Sequence, residues 1–177
     1  ASDVYKRQMM KDLIAALKAN GPRIKPKVRL LYTGGHADNP EFFDLLQQND
    51  AHVVSDNTGF GTRAADVLIR EDGDPLEAII DYYFEEKPAA TRQMGTQVER
   101  MERLLDLVKQ YKADGVVASR LYMCDLWAFE HFLMRKRLHE NNVPFLELEV
   151  DYTPEGQGQI KTRVQAFVES LADRQTA

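Results

Sequence analysis

The sequence predicts an α/β fold, a parallel sheet of about four strands with helices on both faces. Three observations carry this. Short apolar runs, bounded by turn residues, recur along the chain at Val28–Tyr32, Ala51–Ser55, Asp114–Ser119 and Val143–Glu149. The segments between them space their apolar residues three and four apart, as a helix with one buried face requires. No internal repeat, linker or low-complexity segment interrupts the alternation.

Each element has its own reason. Met10, Leu13, Ile14 and Leu17 make the apolar stripe of a first helix, and Asn20-Gly21-Pro22 stops it. The first strand ends in Thr33-Gly34-Gly35. Asn39-Pro40 then opens a helix, with proline at a first helical position, and Phe42, Phe43, Leu45 and Leu46 form its inner face. The second strand gives way to the loop Asp56-Asn57-Thr58-Gly59-Phe60-Gly61. Asp74-Pro75 opens a helix expected to reach about Glu85, and Met101, Leu104, Leu105 and Val108 line a longer one over Val98–Lys112. The third strand runs into Arg120-Leu121-Tyr122-Met123 and the helix begun by Cys124-Asp125-Leu126-Trp127. After the fourth strand, Gly156-Gln157-Gly158-Gln159 leads into a last helix with Val164, Phe167, Val168 and Leu171 inside. Strands of this kind, joined by right-handed crossovers, put the loops after each strand on one rim, as in Rossmann- and flavodoxin-like sheets.

Composition bounds the function. The chain has 177 residues, 44% hydrophobic and 29% charged, as expected of a globular domain with a sizeable core. Its net charge is -5, so no global attraction to nucleic acid or an anionic membrane exists. No apolar run approaches the roughly 20 residues of a membrane helix, and no signal peptide is visible. One cysteine excludes an internal disulfide and fits a reducing, cytoplasmic setting. Asp3-Val4-Tyr5-Lys6-Arg7-Gln8 matches the translation of a sequencing-library adaptor, so residues 1–8 are expected to be an added tail and 9–177 the α/β domain of a larger subunit.

Cys124 is the first candidate for chemistry. It follows a strand and opens a helix, where open α/β sheets bind ligands and where the positive helix end favours an anionic group. The plain alternative is a buried small hydrophobe. Thr33-Gly34-Gly35 reads as a phosphate-binding turn or as a plain turn, since the full Gly-x-Gly-x-x-Gly spacing is missing. His131 and His139 form no zinc pattern, and Ser55 and Ser119 lack a nucleophile elbow. Glu147 and Glu149 suit either salt bridges or acid chemistry, and Arg135, Lys136 and Arg137 read as the exposed side of the Cys124 helix.

The segments Asp114-Gly115-Val116-Val117, Cys124-Asp125-Leu126-Trp127, Pro144 to Glu149, and Gly158-Gln159-Ile160-Lys161-Thr162-Arg163-Val164-Gln165-Ala166-Phe167 occur in an order and spacing that resembles the C-terminal domain of the 2-hydroxyacyl-CoA dehydratase and benzoyl-CoA reductase family, over about Lys27–Leu171. The resemblance implies a cytoplasmic, anaerobic iron–sulfur enzyme of two related subunits. Each subunit would hold a [4Fe-4S] cluster through three cysteines, and an ATP-dependent iron–sulfur activator protein would supply one low-potential electron. A ketyl radical of the acyl-CoA substrate then expels its hydroxyl group. Cys124 matches the last cluster ligand, the other ligands falling outside this fragment. Gln159 and Arg163 are the candidate catalytic residues, and Gly34, Gly35 and Gly158 the candidate cofactor-binding positions, because the glycine turn and the start of the last helix bring backbone N–H groups to the rim that holds Cys124; the equal alternative for the last helix is a simple cap with Arg163 paired to a surface acid. Gly59 stands where many members carry a cysteine, and Lys87–Thr91 has none either. The alternatives are a benzoyl-CoA reductase-type subunit, a non-catalytic paralogue serving as a binding or assembly module, and a stand-alone flavodoxin-like nucleotide or flavin binder.

Overall fold

A computed structural model describes residues 2–21, 24–35, 39–48, 50–151 and 157–176. Pro22 of the expected helix stop, residues 36–38 of the first rim loop and residues 152–156 of the fourth, Gly156 included, lie outside them.

Four strands, β1 (Val28–Gly34), β2 (Ala51–Asn57), β3 (Gly115–Leu121) and β4 (Phe145–Val150), form one all-parallel sheet in the order β2-β1-β3-β4. Among the described residues seven α-helices accompany them: α1 (Ser2–Asn20), α2 (Pro40–Leu46), α3 (Thr62–Ala65), α4 (Pro75–Asp81), α5 (Gln97–Gln110), α6 (Asp125–Glu140) and α7 (Gln157–Thr176). Strand alternation sorts the core into two layers. Leu30, Tyr32, Val117 and Leu148 face Leu46 of α2 and Val164, Val168 and Leu171 of α7. Leu31, Val116 and Ala118 face Met101, Leu104, Leu105 and Val108 of α5 and Met134 and Leu138 of α6. Both faces of the sheet are covered, which is why its strands read as apolar runs rather than as an alternating pattern.

The caps follow the residues that announce them. Asn39 accepts a hydrogen bond from the Glu41 N–H, and Asp74 accepts from those of Leu76 and Glu77, with proline next in each case. Two elements differ from expectation. The helix expected to reach about Glu85 does so, but changes type: α4 ends at Asp81 and continues as a π-helical turn, Tyr82–Glu86; the single-turn α3 follows the Asp56–Gly61 loop, where the sequence offers no element. The expected first helix begins earlier, at Ser2, and keeps an exposed apolar stripe at Met10, Leu13, Ile14 and Leu17. Among the described residues no helix is long and apolar enough to cross a membrane.

Candidate functional site

The strand order reverses between β1 and β3, so the crevice outside their carboxyl ends is the topological switch point of the sheet. Gly34 closes β1 opposite Ser119 of β3. Its φ is +131°, and a Cβ there would overlap the Ser119 carbonyl, so only glycine lets the two backbones approach this closely. The Gly35 N–H donates to that same carbonyl at 2.9 Å. The amide a phosphate-binding turn would offer is therefore engaged between strands. Behind this contact the Tyr32 and Ser119 hydroxyls lie 2.5 Å apart, both buried. Burial pushes the Tyr32 phenol up to about 12 against the opposing pull of the Ser119 bond.

The loop after β3 is fastened at each step. Tyr122 N–H donates to Val150 O at 2.9 Å and Cys124 N–H to Leu121 O at 3.1 Å. Met123 takes φ +61°, a strained conformation for a side chain of its size. Cys124 is the N-cap of α6, half-buried, and its side chain makes no capping bond, so the thiol stays free beside the helix N-terminus. Three residues on, the Trp127 indole nitrogen stands 3.6 Å from where a Gly35 Cβ would lie, joining α6 to the β1 turn.

A [4Fe-4S] cluster fits these residues only as far as one ligand. Cys124 offers an unengaged thiol, but among the described residues no group of three His, Cys, Asp or Glu side chains could hold a metal ion. Gly158 and Gln159 are exposed in the first turn of α7, after β4. Arg163 donates from Nη2 to the Glu147 carbonyl at 2.7 Å, which ties α7 to β4.

Two groupings that the linear pattern does not show appear on the α5–α6 side. His131 of α6 is fully buried between Trp127 and Phe145. Its Nδ1 lies 3.4 Å from a Glu147 oxygen, without hydrogen-bond geometry, and neither ring nitrogen has a partner among the described residues. Burial holds its pKa below the ordinary histidine value, and the nearby Glu147 charge only partly offsets this. Glu147 itself pairs with Arg120 and Arg135, and Glu149 with Arg120. Burial pushes the Glu147 carboxyl up, but Arg135 and His131 outweigh it and hold it below the usual range. These acids are engaged in salt bridges, the simpler of the two sequence readings. The second grouping is Arg63, Arg100 and Arg103, below the ends of β1 and β2.

A family model described as "2-hydroxyglutaryl-CoA dehydratase, D-component" matches residues 3–171. The chain belongs to this dehydratase family. Proteins similar to it include a provisionally named dehydratase subunit, YjiM, of Escherichia coli (strain K12), 30% identical over 85% of this chain and 39% of that protein. The (R)-phenyllactyl-CoA dehydratase beta subunit of Clostridium sporogenes is 24% identical over 93% of this chain and 43% of its own length. One of the subunits of benzoyl-CoA reductase from Thauera aromatica is 20% identical over 93% of this chain and 43% of that protein. The chain thus spans about two fifths of the length of these relatives. Within it, the switch-point crevice brings together Gly34, Gly35, Ser119 and Trp127, with Cys124 one turn away on α6.

Proposed function

We propose that this chain is part of a 2-hydroxyacyl-CoA dehydratase subunit in which Cys124 gives one thiolate to a [4Fe-4S] cluster. The observation that carries the reading is the unengaged Cys124 side chain at the N-cap of α6, held by a strained and doubly bonded loop just outside the β1/β3 switch point. The remaining cluster ligands would come from outside the described residues. When bound, the cluster would supply one-electron chemistry at low potential.

The chain's own groups have separate parts in this reading. The first-turn amide of Gly158 and the side chain of Gln159 would donate to the thioester carbonyl oxygen as it gains negative charge, a placement that favours the charged state over the neutral one. Arg163, already bonded to the Glu147 carbonyl, would position α7 rather than touch substrate. Gly34 would hold β1 against β3 so that the crevice keeps its shape. The partners the reading requires are a second homologous subunit and an ATP-dependent iron–sulfur activator, and the setting is cytoplasmic.

The experiment is anaerobic purification of the complete protein carrying this chain, with iron content measured for the parent and Cys124→Ala. A loss of iron in the variant supports the reading. Equal iron in both would remove Cys124 from the cluster and favour the non-catalytic module.

A further inference from the structure

Helix α6 is apolar on two opposite sides. Trp127, His131, Met134 and Leu138 turn inward and are buried or partly buried. The outer side carries Asp125, Phe129, Phe132 and Lys136, spaced four, three and four residues apart. At about 100° per residue these four fall within about 60° of one another, on the line opposite the buried set. All four are exposed, Phe129 and Phe132 by 58% each. A single exposed hydrophobic residue is ordinary, but two phenyl rings in one row on a helix form a patch of the kind that marks an interaction surface.

The order of charge along this stripe says what fits it. From its N-terminal end it reads acid, aromatic, aromatic, base. Asp125 and Lys136 stand equally far from the midpoint between Phe129 and Phe132, about 16 Å apart along the axis. A second α6 laid antiparallel about that midpoint sets Phe129 of each copy against Phe132 of the other, and Asp125 against Lys136 at both ends. A parallel copy would instead oppose acid to acid and base to base. An interface with two-fold symmetry must be complementary to itself, and this stripe is so in one direction only. Its four-three-four spacing is also the one on which two helices interlock along a seam. The exposed stripe of α1 lacks this property: Lys6 precedes its apolar residues and Asn20 follows them, so it does not match itself in reverse.

We propose that the outer face of α6 docks a second copy of this chain, the two α6 helices lying antiparallel about a two-fold axis between Phe129 and Phe132. Beside the stripe, a groove between α5 and α6 lined by Val98, Met101 and Leu133 extends the apolar surface, with Val98 itself 74% exposed. A seam of about four helical turns offers less than the roughly 800 Å² per partner of a standard interface, so the dimer is weak, with a dissociation constant on the order of 10 µM. The second copy is distinct from the homologous subunit of the cluster reading, and the surface goes beyond that reading and does not need it.

Sedimentation equilibrium of this chain, with reductant present so that no Cys124 disulfide forms, tests the proposal. A reversible monomer–dimer equilibrium is expected. Phe132→Ser should raise the dissociation constant at least about tenfold, since a central aromatic is lost twice in a two-fold interface. Asp125→Lys and Lys136→Asp should each raise it at least about fivefold by opposing like charges at both ends. The double variant, which exchanges the two charges, should return to within about threefold of the parent. All three positions are exposed, so the variants should keep the fold, and circular dichroism checks this. Leu13→Ser, on the α1 stripe, should leave the constant unchanged. A monomer at every concentration up to about 500 µM, which is also the outcome if another part of a longer subunit or a different protein covers α6, would overturn the assignment. So would a dimer that survives Phe132→Ser, a dimer lost in Leu13→Ser, or a charge exchange that restores nothing. Neither iron content nor turnover enters this measurement, so its failure is distinct from failure of the cluster reading.

Discussion

Arg100 of α5 and Glu130 of α6 form a two-pronged ion pair, Nε to Oε1 and Nη2 to Oε2 both at 2.8 Å, with side chains only 7% and 3% exposed. The third nitrogen, Nη1, reaches the carbonyls of Ala90 and Gln93 and the Thr96 hydroxyl, so one side chain fastens two helices and the loop before α5. Removing one member of such a pair leaves a buried charge alone and costs about 3–5 kcal/mol. Glu130→Ala should lower stability by that amount in urea denaturation. Arg100→Met should cost at least as much, because it also removes the bonds to Ala90, Gln93 and Thr96, and it should open the loop, read as faster tryptic cleavage at Arg92. Unchanged cleavage would show that other contacts hold the loop.

His131 gives the fold a pH dependence of known sign. Its folded pKa is depressed by burial, so between the ordinary histidine value, about 6.5, and its lower folded value the unfolded chain binds more protons than the folded one. Stability from this residue is full above about 6.5 and is lost as pH falls through that window. The urea midpoint should fall between pH 8 and pH 5.5, and His131→Leu should flatten that part of the curve. An equal slope in the variant would assign the dependence to other groups.

Asp56 acts further into acid. Burial pushes its carboxyl up, but the amides and hydroxyls of Thr58 and Thr62 all donate to it and hold it below the usual carboxylate range. Its contribution is present above about 4 and is lost as pH falls through the folded value. Asp56→Asn should reduce the loss of stability below pH 4. A melting series from pH 5 to pH 2.5 on both proteins checks this.

The fold was legible because its signals are local. Val28–Tyr32 and Asp114–Ser119 are buried on both faces and read as unbroken apolar runs, and α5 shows a stripe at Met101, Leu104, Leu105 and Val108. α3 has no such signal: it is one turn long, carries no side-chain cap and buries nothing. The π-helical turn at Tyr82–Glu86 completes the reach expected to about Glu85, but nothing in the residue spacing marks the change of helix type. For the site, position was legible and company was not. Cys124 stands at the strand-to-helix junction that its neighbours predict. Arg63 meets Arg100 and Arg103, and His131 meets Glu147, only through tertiary packing. The spacing of Arg100 and Arg103 on one helix face was the single available hint.

In the proposed dehydratase, Gln159→Ala should lower turnover strongly while iron content stays normal, because Gln159 is exposed and anchors no other element among the described residues. Arg163→Ala should differ. It frees α7 from the Glu147 carbonyl, so it should lower stability by about 1 kcal/mol as well as activity. Thermal melting separates the two variants. A Gln159→Ala protein with parental turnover would take the α7 amides out of the reaction.

Gly34 and Gly35 are neighbours with opposite tolerance for a side chain. Gly34 sits at φ +131° with the Ser119 backbone where a Cβ would go, so alanine must both enter a disfavoured conformation and push β1 from β3. Gly34→Ala should cost at least about 3 kcal/mol. Gly35 has no positive φ, and a Cβ would meet the Trp127 indole at 3.6 Å and the Ser119 carbonyl oxygen at 3.9 Å, both ordinary van der Waals contacts. Gly35→Ala should stay within about 1 kcal/mol of the parent and keep its amide bond to Ser119, since alanine retains the N–H. Urea denaturation of the pair, with Trp127 fluorescence as the probe, reads both effects. If Gly35→Ala proved as damaging as Gly34→Ala, the turn rather than the strand contact would be what the crevice depends on, and the amide of Gly35 would return as a candidate ligand donor.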